Sequence, residues 1–272
     1  MSGGSHYAPG SEAELERLQL QARCLEGLTR RLIREAGVGP GMRVLDLGCG
    51  PGDVAFLVAE AVGPAGSVLG VDREERSVLT AKRRAAEAGF DNVAFAVAAD
   101  DALPADPPFD AAIGRFVLIH QADPAAMIRR AAAVVRPGGI VAFLEPALHL
   151  DSYSLPELEL TSAAAASLKR FMLAALPSPD VAGRMLACFL DAGLPEPKIL
   201  WESVVMGSKD DVWLRLFVMS YQTFLPLMER HGTVDPRVGD PDTLADRIRA
   251  EAYARRAQSV TGPFASAWAT KA

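Results

Sequence analysis

Apolar and polar positions follow two rhythms along this chain: short, nearly solid apolar runs, and longer stretches whose apolar residues recur every three or four positions. The first long stretch spans about Ser11 to Ala36. It predicts a helix opened by the capping-box spacing of Ser11 and Glu14 and stopped by Gly37 and the Gly39-Pro40-Gly41 turn. From Arg43 to Asp53 (RVLDLGCGPGD) a short apolar strand leads through a glycine turn into a helix that reaches Val62 and ends at Gly63-Pro64. Further apolar runs at Ser67–Asp72, Asn92–Ala98, within Phe109–His120 and at Ile140–Pro146 predict four more strands. Helical patterns separate them, from about Glu75 to Ala88 (closed by Gly89) and from Asp123-Pro124 to Val135, with proline at the first helical position. Strands alternating with helices at this spacing predict βαβ units, hence an open α/β fold with a mainly parallel sheet covered on both faces.

After Glu145 the rhythm loosens. Residues 147–179 hold an alanine-rich helical stretch, and Ser178-Pro179-Asp180 starts a helix that ends at Gly193. Lys198–Gly207 alternates as a strand. Residues 209–258 are mostly helical, with Trp213, Leu216, Phe217, Tyr221, Phe224 and Leu227 on roughly one face. Pro263–Ala269 reads as a closing strand, bringing the expected sheet to seven. The organisation that follows is an N-terminal helical segment over 1–37, a candidate lid, and one Rossmann-like domain over 38–272 with helical insertions at about 147–179 and 208–260. No internal repeat or low-complexity linker cuts it further.

Half of the 272 residues are hydrophobic, enough for a sizeable core. The net charge of −6 argues against a polyanionic partner, so no nucleic acid is expected. Three scattered cysteines, Cys24, Cys49 and Cys188, form no C-x-x-C pair and suggest neither a disulfide framework nor structural zinc. The first residues carry no basic region followed by an apolar stretch, and no apolar run reaches ~18 residues, so neither a signal peptide nor a membrane span is expected. A cytoplasmic monomer or homodimer is the expectation.

The glycine turn carries the chemistry. Gly48, Gly50 and Gly52 lack a Cβ, so backbone can turn sharply and come close to a ligand. The turn lies at the carboxyl end of the first strand, where open α/β sheets bind ligands. A dinucleotide fingerprint would place a third glycine three positions after the second, but Gly50 is followed by Pro51-Gly52. VLDLGCGPGD resembles the first motif of class I, Rossmann-like S-adenosylmethionine-dependent methyltransferases of the small-molecule type. Phe109-Asp110-Ala111, Leu118-Ile119-His120 with Asp123-Pro124, and Arg136-Pro137-Gly138-Gly139 resemble later motifs of that family, so the likeness covers about residues 40–146 closely.

The resemblance implies S-adenosyl-L-methionine as cofactor and S-adenosyl-L-homocysteine as product. The turn with Gly48, Cys49, Gly50 and Asp53 would contact the methionine portion and Asp46 its cationic end. Asp72, with Arg73 beside it, would accept from the ribose hydroxyls; the alternative for Asp72 is a helix N-cap. The family often has Gly-Asp where this chain has Ala98-Ala99, leaving adenine to Asp100, the favoured candidate, to Asp101, or to backbone alone. Tyr7 and Gln21 of the N-terminal segment, and Arg115, complete the expected cofactor set.

Methyl transfer is an in-line displacement for which the protein chiefly supplies orientation. For a hydroxyl or phenol acceptor, His120 is the candidate base, the alternative being a packed or capping histidine beside Asp123. Arg115 and Glu145 are candidate substrate contacts, while His149 and His231 are weaker. No metal-binding spacing is evident, so no metal is expected. The function this implies is methyl transfer to a small-molecule acceptor that is a natural product, lipid-like or quinone-like. A non-methylating cyclisation or rearrangement on the same cofactor-binding fold, or a non-catalytic binding protein, is the alternative.

Overall fold

The computed structural model describes residues 12–99, 102–104, 108–206 and 211–272. Tyr7, Ser11, Asp100 and Asp101, each given a role above, lie outside the described residues. In chain order the elements are α1 (Glu12–Ala36), β1 (Arg43–Leu47), α2 (Asp53–Val62), β2 (Ser67–Asp72), α3 (Glu75–Ala88), β3 (Val93–Val97), β4 (Phe109–Arg115), α4 (Pro124–Val134) and β5 (Val135–Pro146). They continue as β6 (Tyr153–Leu155), α5 (Glu159–Ala175), α6 (Met185–Asp191), β7 (Lys198–Glu202), β8 (Val205–Met206), α7 (Val212–Arg230), α8 (Leu244–Arg255), β9 (Gln258–Val260) and β10 (Phe264–Thr270).

Two compact units are formed: a sheet unit of residues 25–147, 177–202 and 264–272, and a helical unit of residues 1–24, 148–176 and 203–263. The boundary falls inside α1, between Cys24 and Leu25, not after it at residue 37.

The sheet unit is a seven-stranded sheet in the order β3-β2-β1-β4-β5-β10-β7, parallel except for β10. The central strands are apolar without alternation because both faces are covered: Val44 and Leu45, Ala111 to Ile113 and Val141 to Leu144 have no exposed surface. From β1 the chain builds outward to β2 and β3 on one side, then returns to β4 on the other. That reversal opens a crevice at the carboxyl ends of β1 and β4.

Asp123 caps α4 as expected, its Oδ1 accepting from the Ala126 amide at 2.9 Å, with Pro124 at the first helical position. Arg136-Pro137-Gly138-Gly139, expected as a turn ahead of the fifth strand, lies inside β5 as an irregular stretch, with the register against β4 shifting between Phe109 and Ala111. Lys271 holds it there. Its amide donates to the Gly139 carbonyl and its own carbonyl accepts from the Gly138 amide, both at 2.8 Å, while its Nζ donates to the carbonyls of Ala132 and Val135.

The helical unit has its own core of Ala163, Ala164 and Phe171 on α5, Leu214, Val218, Tyr221, Phe224 and Met228 on α7, and Leu244 and Ile248 on α8. The expected stripe on α7 is therefore rotated. Tyr221 and Phe224 are buried, but Trp213, Leu216, Phe217 and Leu227 are half-buried, since Leu214-Val218-Tyr221-Met228 follows the helical period more closely. The strand expected over Lys198–Gly207 divides: β7 joins the large sheet, and β8 joins β6 and β9 in a separate antiparallel sheet of order β6-β9-β8. No helix among the described residues is long and apolar enough to cross a membrane.

Candidate functional site

The carboxyl edge of the large sheet collects the polar groups the sequence singled out. β1 leads into the glycine turn, β2 ends at Asp72, and β4 ends at Arg115. Both flanking glycines of the turn are sterically required. Gly48 has φ 59°, and a Cβ there would lie 2.9 Å from Cγ2 of Val117, while a Cβ on Gly52 would lie 2.9 Å from the Phe56 ring. Gly50 differs. Its φ of 52° also suits glycine, yet no described atom beyond its neighbours lies within 4 Å of where a Cβ would stand. At Gly50 the backbone faces open space.

Asp72 spans this turn. Its Oδ2 accepts from the Gly50 amide at 2.8 Å and its Oδ1 from the Glu74 amide at 2.9 Å. One carboxylate thus braces both the glycine turn and the approach to α3, and each oxygen keeps lone-pair capacity for a ligand hydroxyl. Asp53, the first residue of α2, pairs with Arg84 at 2.7 Å, and Arg84 also donates to the Pro51 carbonyl. Cys49 is buried, and burial first, then the Asp46 and Asp72 charges, raise its thiol pKa.

Asp46 is the electrostatic anomaly. It is 1% exposed, and neither carboxylate oxygen has a hydrogen-bond partner among the described residues. Burial pushes its pKa up to about 8, opposed by the Arg115 cation and reinforced by Asp72; the nearby Ala55 amide lowers it slightly without hydrogen-bond geometry. Arg115 donates to Thr29 Oγ1 at 3.0 Å, and its burial lowers its pKa against the opposing pull of Asp53 and Asp46. A buried carboxylate without a donor is costly until a cation meets it. An ammonium group entering beside the open Gly50 backbone would meet that need, so this donor set fits the amino-acid end of the expected cofactor.

Glu145 corrects the expectation placed on it. It is fully buried, its Oε1 accepting from the amides of Val117 (2.9 Å) and Leu118 (2.7 Å) and its Oε2 from that of Ile119 (3.3 Å). Burial raises its pKa to about 8 while the three amides pull it down. It is a brace for the 3₁₀ turn Leu118–His120, not a rim residue reaching for substrate. His120 ends that braced turn. It is exposed to solvent, and desolvation of its ring, then the Arg73 charge, lower its pKa. Asp123 uses its Oδ1 to accept from the Ala126 amide of α4. Gln21 sits on the part of α1 that belongs to the helical unit, where its Oε1 accepts from Arg17 at 2.9 Å, and Arg17 also pairs with Glu14.

Thr29, the brace role of Glu145, and Phe116 escaped the sequence reading. Phe116 follows Arg115 with φ 59°, and its ring stacks on Phe264 at 6.0 Å with planes 10° apart. No local pattern announces any of them.

Residues 39–187, more than half of the chain, match the family model described as a methyltransferase domain, and the chain belongs to this family. It is 33% identical to the aklanonic acid methyltransferase DauC of Streptomyces sp. strain C5 over 134 residues, 48% of this chain and 60% of that one. It is 37% identical to a 2-phytyl-1,4-naphthoquinone methyltransferase of Synechococcus elongatus over 123 residues, 43% of this chain and 51% of that one. The chain spans about half the length of the curated relatives it matches. Among solved structures, a putative methyltransferase of Bacillus halodurans superposes with a TM-score of 0.59 at 17% identity, covering 89% of this chain and 98% of that one. The fold is accordingly the Rossmann-like one of this family.

Proposed function

We propose that this protein transfers the methyl group of S-adenosylmethionine to a small-molecule acceptor of natural-product or quinone-like type. The observation that carries the reading is Asp46, a buried carboxylate with no hydrogen-bond donor among the described residues, beside a glycine turn where a Cβ on Gly50 would meet no described atom. When bound, the cofactor supplies an electrophilic methyl group on a sulfonium. Asp46 would hold its ammonium, the turn at Gly48–Gly52 its amino-acid backbone, and Asp72 its ribose hydroxyls by the lone pairs left over from Gly50 and Glu74. Arg115 balances the charge of Asp46 and Asp53. The methyltransferase relatives support this assignment of cofactor, and the naphthoquinone and aklanonic acid named for two of them support a small organic acceptor.

For a hydroxyl acceptor the proton must leave as the methyl arrives. His120, at the end of the turn braced by Glu145, accepts it at a ring nitrogen.

Incubation with methyl-labelled cofactor and a pool of small phenols, quinols and hydroxy acids tests the reading. Label moving into product is expected; cofactor that binds but keeps its label through turnover would instead mark a cyclisation or rearrangement. With an accepted hydroxyl substrate, His120→Ala should lower kcat by about 10²–10⁴-fold while the Kd for S-adenosylhomocysteine stays unchanged. Near-normal turnover at neutral pH removes the base assignment.

A further inference from the structure

Phe116 combines two features that folding alone does not require. It is a bulky residue in the left-handed region, with φ 59°, a conformation that costs L-residues about 1–2 kcal/mol. It is also half-buried, so the gain from covering its ring is incomplete. Such strain in a bulky residue at the end of a central strand, where ligands of this fold bind, points toward function. The Phe116 amide is anchored by donation to the Leu144 carbonyl at 2.9 Å, which fixes where the ring leaves the backbone.

Its surroundings narrow the role. On one side the chain carries Arg115, whose charge acts on Asp46. On the other side runs the turn of Val117, Leu118 and Ile119, braced by Glu145 and ending in His120. Val117 also backs Gly48. Phe116 therefore stands, along the chain, between the group assigned to the cofactor's cation and the group assigned to the acceptor's proton. A cofactor held by Asp46 on β1 and Asp72 at the end of β2 would leave the carboxyl ends of β4 and β5 for the second reactant. There the Phe116 ring meets Phe264, the first residue of β10, which is in register with Pro146 at the end of β5. Phe264 is half-buried as well, and the two ring planes differ by 10°. Near-parallel rings present one common orientation, which a flat ring can match by offset stacking and a puckered one cannot.

We propose that Phe116 and Phe264 form a stacking ledge that selects acceptors carrying a planar aromatic or quinonoid ring. The proposal rests on the methyl-transfer reading and narrows its acceptor class. The test uses two probes with one skeleton and one hydroxyl, 1-naphthol, which is flat, and 1-decalol, which is puckered. Each is titrated calorimetrically into the full chain with and without S-adenosylhomocysteine. The wild type should prefer 1-naphthol by about tenfold, the scale of an aromatic pair. Phe116→Leu and Phe264→Leu should each lose most of that preference with the S-adenosylhomocysteine Kd unchanged, and Phe116→Tyr should keep it. If Phe116→Leu does not fold, Phe264→Leu carries the same reading. Equal affinity of the wild type for both probes, or a preference that survives both leucine variants, overturns the ledge. Failure of S-adenosylhomocysteine to bind the wild type would instead overturn the cofactor assignment, and the probe titration without it reads the ledge separately.

Discussion

Asp46 in β1 and Glu145 in β5 lie on either side of β4 in the sheet, both buried and both pushed to a pKa near 8 by that burial. One accepts three backbone amides; the other accepts no hydrogen bond among the described residues. Similar burial with opposite satisfaction separates a carboxylate that completes the fold from one that waits for a ligand. A carboxylate with three amide donors recovers part of its desolvation cost locally and belongs to the architecture. An unmet carboxylate weakens the protein unless something cationic arrives, and such a cost is typical of a binding site rather than a scaffold.

The largest expected effect is at Glu145. Its removal in Glu145→Ala orphans three amides and should destabilise the sheet unit by about 3–5 kcal/mol, seen as a lowered denaturation midpoint; Glu145→Gln, which keeps an acceptor, should lose clearly less. Equal behaviour of the two variants would erase the distinction drawn above. Asp46→Asn should act in the opposite direction. A carboxylate whose folded pKa is raised contributes its full stability below its ordinary value and loses it as pH rises toward about 8. The ligand-free asparagine variant should therefore match the wild type near pH 4 and exceed it by about 2–4 kcal/mol at pH 8, measured by denaturant melts across that range. The same variant should bind S-adenosylhomocysteine more weakly by about 1–3 kcal/mol. A variant that is no more stable at pH 8 would mean that Asp46 already has an internal partner. The smallest effect falls at Asp72, which is only half committed to the fold. Asp72→Ala should weaken S-adenosylhomocysteine binding by about 1–2 kcal/mol, read by calorimetry, and unchanged affinity would return Asp72 to bracing the turn alone.

Which of these features could be read from the chain follows their range. The strands of the large sheet are apolar runs such as Val68 to Val71 and Ile140 to Leu144, dense enough to stand out, and Gly63, Gly89 and Asp123 punctuate the helices between them. Asp46 is conspicuous as a charge embedded in a strand just before the glycine turn, so its candidacy was legible, whereas its complete burial was not. The task of Glu145 was not, because its partners lie 26 to 28 residues away and a hydrogen bond to a backbone amide leaves no mark on side-chain identity. The small sheet of β6, β8 and β9 escaped for another reason: strands of two or three residues are too short to show alternation. Phe116 is silent as well, since nothing about a phenylalanine declares a positive φ.

The strand order holds a consequence for assembly. β10 follows the other described strands in chain order, yet it lies inside the sheet, between β5 and β7. Until it arrives, β5 presents a long apolar margin with open hydrogen-bonding groups, and β7 has no neighbour in the large sheet. Until β10 docks, the folding chain carries an exposed sheet edge, so transient aggregation through that edge is the hazard of this topology.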